Sequence, residues 1–344
     1  MPTSPIETDA VVVGAGPVGL FQVFQLGLQE IRAHIVDVLP YVGGQCAALY
    51  ADKPIYDIPG VPVCTGRELV ASLQQQAAPF APQLHLGQEV TEFSTLPDGR
   101  LQLHTSAGTQ FVARAVFIAA GIGAFQPRRL RIEGIDAFEG GALHYHAPEA
   151  SAVAGRHLVV AGGGEEAVAS ALAFAQAAPA SLTLLHRRDA FEAEPAPLAE
   201  LQRLRDAGHI RVATGQPTAF ETDAQGRLSQ LVLSHAEGPD TRLPLDLLVV
   251  RQGLSPRLGA VADWGMAMER KQLAVDPATC ATSLPNVYAV GDINHYPGKK
   301  KLILCGFHEA TLAAYDAAER LVSGRKVVVE YTTTSTRLQG LLGR

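Results

Sequence analysis

Two glycine clusters in this chain have the spacing that lets a backbone wrap an anion. The first, GAGPVG, sets Gly14, Gly16 and Gly19 in a G-x-G-x-x-G pattern with Pro17 inside it. The second, GGGEEA, sets Gly162, Gly164 and Ala167 in G-x-G-x-x-A. Each follows a short apolar run and opens a stretch of helical apolar spacing, so each reads as strand, turn and helix. In such a unit the first glycine makes the tight turn. The second lets a diphosphate approach the N–H groups at the helix start, and the third lets the helix lie close on the strand.

The strands that follow end in opposite chemistry. The first ends in Asp37, 18 residues after Gly19, where a carboxylate accepts hydrogen bonds from a ribose diol. The second ends in His186, Arg187 and Arg188, where guanidinium groups bind a ribose 2′-phosphate that an acid would repel. The first site is therefore expected to take a nucleotide with a free 2′-hydroxyl, such as FAD or NAD, and the second NADP(H). Glu192, four residues past Arg188, opposes a 2′-phosphate. Two guanidiniums outweigh one carboxylate, so NADPH is still expected, with weaker discrimination. Two such sites in one chain point to electron transfer between two bound cofactors.

The elements that must hold these residues follow one plan used twice. Strand 10–13, helix 18–29, the strand ending at Asp37 and a helix over 69–80 are followed by a β-meander over 83–119 about the turn at 97–99. The plan restarts after residue 121 and runs through a second meander to about residue 250. A long helix over 303–323 and a polar tail close the chain. The fold class expected is α/β: two Rossmann-like dinucleotide-binding domains of three layers, sheet, meander and helices. Residues 1–121 with 284–344 would form one domain and 122–283 the other.

Composition narrows the function. The chain has 344 residues, 47% of them hydrophobic and 18% charged, and its 28 basic and 34 acidic residues give a net charge of −6. That balance argues against general nucleic-acid binding. No apolar run is long enough to span a membrane. The cysteines at 46, 64, 280 and 305 form no Cys-x-x-Cys pair and no zinc-ligand spacing, and MPTSPIETDA carries neither a basic nor an apolar run. Reduced thiols and a cytoplasmic location are expected.

Further stretches resemble a known family. LPYVGGQCAALYADKPIYDIPGVP, AAGIGAFQPRRL, VYAVGDINHYPGKKKLI and CGFHEATLAAYDAAERL, in that order, are similar to the thioredoxin-reductase-like type of ferredoxin–NADP reductase. The resemblance covers nearly the whole chain. It implies that Gly44 and Gln45 lie against the flavin of FAD and that Tyr50 stacks on its ring. It implies that Val90 meets the adenine through its backbone, that Phe125 lies beside the flavin and that Asp292 binds the ribityl or phosphate region. It also implies that the C-terminal tail crosses to a partner subunit in a homodimer, where Thr333 contacts FAD.

The thiol pair of thioredoxin reductases is absent before the second glycine turn, so the expected electron acceptor is a docked ferredoxin or flavodoxin. Hydride would pass from NADPH to the flavin, followed by two single-electron steps. No protein acid or base is needed for the hydride step, so no catalytic residue is named. Lys299, Lys300, Lys301, Arg325, Lys326 and Arg337 are the basic candidates for docking an acidic partner. Alternatives are an NADPH-dependent flavin or quinone reductase and a non-catalytic redox sensor.

Overall fold

A computed structural model describes residues 4–235, 237–321 and 331–343, with the side chains at 124–126 and 256 outside the description. Arg325 and Lys326 lie outside the described residues. The chain divides into two compact units, residues 1–124 with 256–344 and residues 125–255.

The first unit is built on a seven-stranded sheet. Strands Gln83–Leu86, Ala33–Asp37, Ile6–Val13 and Gln110–Ile118 run parallel in that spatial order. Leu101–Thr105 and Val90–Thr95 continue the sheet in antiparallel fashion beside the first half of Gln110–Ile118. Val287–Ala289 pairs with its second half in parallel. The expected meander over 83–119 is thus shorter. Gln83–Leu86 leaves it to become the edge strand next to Ala33–Asp37.

Strand alternation sorts the core into two faces. Val12, Ile35, Ala115 and Phe117 point toward helices Pro17–Leu28, Gly66–Ala77 and Ile303–Leu321. Val11, Val13, Val36, Val116 and Ile118 point the other way, onto Leu101, Leu103, Val261, Met266 and Leu273. The last three explain where the domain boundary falls. Residues 256–283 were expected in the second domain, yet Val261, Met266 and Leu273 complete the outer core of the first unit. Gln272–Ala274 also pairs with Asn294–His295 of the same unit.

The second unit has a five-stranded parallel sheet in which His157–Ala161 lies between Leu247–Val250 and Ser181–His186. Its meander, Gln216–Thr222, Leu228–Ser234 and Thr241–Pro244, forms a separate three-stranded sheet. In the first unit one unbroken strand, Gln110–Ile118, serves both layers. In the second, the corresponding path leaves the meander after Pro244: the Leu245 N–H still donates to Ser229, the Asp246 N–H already donates to His157 of the parallel sheet, and the chain runs on as Leu247–Val250. Val159, Ala161 and Leu185 face the meander, while Leu158, Val160, Leu182 and Leu184 face helices Glu165–Ala175 and Pro195–Asp206.

One polar contact inside the first sheet has a pH consequence. His34 Nδ1 and His85 Nε2 lie 2.9 Å apart on neighbouring strands, and both rings pack on Phe111. Burial lowers both pKa values below the usual 6.5, and for His34 the charge of its partner adds to this. With folded pKa values below the unfolded ones, the stabilising contribution is present above pH 6.5 and lost as pH falls through the folded values. The melting temperature should therefore drop on acidification below that point. His85→Gln, which keeps a hydrogen-bonding side chain without the titration, should flatten the drop. An equal drop in both proteins would exclude the pair as its source.

Candidate cofactor-binding sites

The first glycine turn is shaped by contacts that leave no room for side chains. Gly14 has φ +112°, and a Cβ there would lie 2.4 Å from the carbonyl oxygen of Ala119. At Gly19 a Cβ would lie 1.9 Å from the oxygen of Gly14, so the helix start rests directly on the turn. Gly16 differs. Its backbone is extended, and a Cβ there would meet nothing nearer than the Cα of Gly44 at 3.9 Å.

Helix Pro17–Leu28 begins at Gly16 with no side-chain cap and no acid in its first turn. Pro17 at the first helical position has no N–H to lose. The positive helix end and its free amides therefore face an open space bordered by glycine, which suits a diphosphate.

Asp37 closes this cradle. Only 9% of it is exposed; its Oδ2 accepts the N–H of Ala15 at 2.5 Å and its Oδ1 accepts the N–H of Leu39 at 2.8 Å. Burial pushes its carboxyl pKa up, and these two donors pull it back down. The carboxylate is thus committed to the backbone of the turn, with lone pairs left for a ribose. Val90 is buried just beyond. The N–H of Gln88 donates to the Asp37 carbonyl and that of Gly87 to the Leu39 carbonyl, which brings the start of strand Val90–Thr95 to the same edge.

Gly43 and Gly44 cross over the turn, and the Gly43 N–H donates to the Ala15 carbonyl at 2.8 Å. A Cβ on Gly44 would sit 3.1 Å from the Cα of Gly16. The short helix Gly44–Ala48 carries Gln45, whose Nε2 would be 3.3 Å from a Cβ at Gly121. The Cys46 thiol donates to the Tyr50 hydroxyl at 3.4 Å. Burial raises the pKa of both groups, and the charge of Asp292 adds to the rise in each, so Asp292 faces the same region. The structure thus gathers Gly14, Gly16, Pro17, Gly19, Asp37, Gly44, Gln45, Tyr50, Val90 and Asp292 within one unit. Phe125 lies on strand Ala124–Pro127, its side chain outside the description.

Two expectations about docking cations change. The Lys299 side chain is 4% exposed and paired with Glu309, so it is no docking lysine; Lys300 and Lys301 remain exposed. Arg337 donates to the carbonyls of Gly27 and Leu28 at 2.8 Å each. It is therefore a cation at the negative end of helix Pro17–Leu28, its guanidinium over the Phe80 ring. Thr333 is exposed in the turn that precedes Arg337, and its carbonyl accepts a hydrogen bond from Gln339 of the same tail. Arg337 thus ties the tail to the end of the helix opposite Gly16, and Thr333 is not brought to the cradle of its own chain.

The second turn lies wholly in the second unit. A Cβ on Gly162 would be 2.1 Å from the Arg251 carbonyl oxygen, whereas Gly164, which starts helix Glu165–Ala175 without a side-chain cap, has nothing within 4 Å. Glu165 and Glu166 occupy the first turn, and Arg251 pairs with Glu166 at 3.2 Å. Arg187 and Arg188 are exposed and, among the described residues, neither has an ion-pair partner. Glu192 is also exposed, and its N–H donates to the Gly163 carbonyl at 2.8 Å.

His186 is the residue whose role the sequence did not reveal. A Cβ on Gly163 would fall 2.5 Å from its ring, and its Nδ1 lies 3.1 and 3.0 Å from the carbonyl oxygens of Arg188 and Ala190. The imidazole fastens the arginine loop beside the glycine turn. The sequence signal was available: a third glycine at 163, which the G-x-G-x-x-A pattern does not require.

A family model described as pyridine nucleotide-disulphide oxidoreductase matches residues 8–320. A ferredoxin–NADP reductase of Acidovorax sp. (strain JS42) is 62% identical over 343 residues, covering 99% of this chain and 96% of that one. Another, of Paracidovorax citrulli (strain AAC00-1), is 60% identical, with coverage of 98% and 96%. Among solved structures, the bacillithiol disulfide reductase of Staphylococcus aureus is similar with a TM-score of 0.59 at 16% identity, over 90% of this chain and 98% of that one. The thioredoxin reductase of T. acidophilum gives 0.55 at 21% identity, over 92% and 99%. At those identities the two structures speak to the fold alone.

The glycines should separate in experiment. Gly19→Ala and Gly162→Ala force a side chain into backbone and should lower stability by about 2–3 kcal/mol. Gly16→Ala and Gly164→Ala should cost under about 1 kcal/mol, since their backbones suit alanine and the space is open. They should nevertheless weaken dinucleotide binding. Denaturant unfolding alongside ligand titration measures both, and equal stability losses at all four positions would contradict the geometry.

Proposed function

The chain belongs to the pyridine nucleotide-disulphide oxidoreductase family, and on that footing we propose that it is a flavoprotein carrying electrons between NADPH and ferredoxin through FAD. The observation that carries the reading is the contrast between the two strand ends. Asp37 is buried and bonded into its turn, which suits a ribose with free hydroxyls. Arg187 and Arg188 stand exposed beside the other turn, which suits a 2′-phosphate.

In this reading residues 1–124 and 256–344 hold FAD and residues 125–255 hold NADP(H). FAD, when bound, supplies the capacity to take two electrons together and release them singly. The residues bind and orient. The open helix start at Gly16 receives the diphosphate. Gly44 keeps the covering segment low enough for close approach, and Gln45 and Tyr50 line the adjoining wall. Burial pushes the Cys46 thiol pKa up, so it offers no thiolate for disulfide chemistry, and pushes the Tyr50 phenol up likewise, so that wall stays neutral. Asp292 offers a carboxylate on the same side.

At the second turn Arg251 neutralises Glu166, so a diphosphate at that helix start meets one acid fewer. Lys300 and Lys301 are exposed cations for an acidic ferredoxin or flavodoxin, and their contribution should fade with salt. The placement of Thr333 away from its own cradle supports a homodimer in which the tail serves a second copy. Four free cysteines fit the reducing cytoplasm.

The test is rapid mixing. NADPH should bleach the bound flavin within a turnover and then reduce ferredoxin. Replacing Arg187 and Arg188 together by alanine should raise KM for NADPH by about tenfold or more and leave NADH use unchanged. An unchanged KM for NADPH would remove the 2′-phosphate assignment. A flavin that NADPH does not reduce would remove the function.

A further inference from the structure

Glu309, on helix Ile303–Leu321, is 1% exposed, and a carboxylate so deep needs its oxygens occupied. Its Oε2 accepts the backbone N–H of Gly291 at 2.7 Å and the Asn294 amide at 2.9 Å. Its Oε1 accepts the Tyr296 hydroxyl at 2.8 Å and the Lys299 ammonium. Lys299 Nζ also donates to the Gly291 carbonyl at 2.9 Å. The N–H and the C=O of Gly291 are thus held by the two opposite members of one buried ion pair. The next residue is Asp292.

Gly291 is confined on a third side. Its φ is +81°, and a Cβ there would lie 3.3 Å from Val18 Cγ2. At Gly306, on the same helix as Glu309, a Cβ would be 2.4 Å from that Val18 atom and 3.3 Å from the Cα of Gly291. Val18 is the second residue of the helix that begins after Gly16. The turn Gly291–Ile293 is therefore packed against the start of that helix, and Gln272 braces it by donating to the Asp292 carbonyl at 2.9 Å. A buried ion pair adds little net stability over an apolar pair of similar volume, and its best-attested use is to specify one arrangement.

We propose that Lys299 and Glu309 are positioning residues for Asp292, fixing its place relative to the helix start at Gly16 so that one bound flavin nucleotide engages both. This rests on the reading of the first unit as the FAD site. The electrostatics agree with it. Burial pushes the Asp292 carboxyl pKa up, Lys299 and Lys301 pull it down, and Glu309 pushes the other way. Removing both members of the pair takes away charges of opposite sign, so the variant that does so tests placement more than charge.

The experiment is a double-mutant cycle on the full-length apoprotein. FAD affinity is read by flavin fluorescence and folding by circular dichroism, for the native chain, Asp292→Asn, Lys299→Met with Glu309→Gln, and all three changes together. If the pair positions Asp292, Asp292→Asn should weaken FAD about tenfold in the native background and about twofold or less in the pair variant. Equal losses in both backgrounds would overturn the positioning role even though FAD binds. A native chain that takes up no FAD would overturn the functional reading and this inference with it. Should the pair variant not fold, Tyr296→Phe, which removes one donor from Glu309 without changing charge, replaces it under the same additivity criterion.

Discussion

The close seating of a helix start on the end of a strand is the constraint on which the rest of this structure depends. At Gly19 the carbonyl oxygen of Gly14 stands where any other residue would put its Cβ; in the second unit the turn itself is pressed as closely, Gly162 on the Arg251 carbonyl, with Ala167 taking the place of Gly19. That seating places a helix start with unused amides at the carboxyl edge of the sheet, where strand ends such as Asp37 already converge. A helix start displaced by one side chain would leave the amides aimed at solvent, and Asp37 could not reach the Ala15 N–H it accepts at 2.5 Å. A turn shaped to take an anion is thus a consequence of packing before it is a feature of chemistry.

The two units use this constraint differently. In the first, the acid is drawn inside and spends its oxygens on the turn, so charge is held by backbone donors. In the second, the cations stay in water while His186 pins their loop to the turn. Exposed guanidiniums keep their hydration until a phosphate replaces it, while a buried carboxylate must be paid for by permanent donors. The family membership and the strand-end contrast point the same way, to an electron-transfer protein that uses two nucleotides.

A second level of order fixes the returning segment. The chain leaves the first unit after residue 124 and comes back at residue 256, so the turn carrying Asp292 arrives from far away in sequence. Its seat comes from Gly291 and Gly306 closing on Val18 and from a carboxylate and an ammonium sealed beneath. The same return explains residues 256–283, whose Val261, Met266 and Leu273 fill the outer core of the unit they rejoin.

Local pattern sufficed for much of this. The glycine spacings, the apolar strand runs, the helix periodicities and the sign of charge at Asp37 and Arg187 are local properties, and each was readable because a turn, a strand or a strand end imposes its requirement within a few residues. The sequence alone therefore determined the fold class and the two glycine turns with their opposite strand ends. Only the tertiary structure decided that the Lys299 side chain is buried while those of Lys300 and Lys301 are not, that Arg337 caps a helix, that Gln83–Leu86 joins the parallel sheet and that residues 256–283 belong to the first unit. In each case the deciding partner, whether Glu309, the carbonyls of Gly27 and Leu28, strand Ala33–Asp37 or the outer core, is distant in the chain or of a type that periodicity cannot single out. A lysine in PGKKKL looks the same whether water or a carboxylate awaits it.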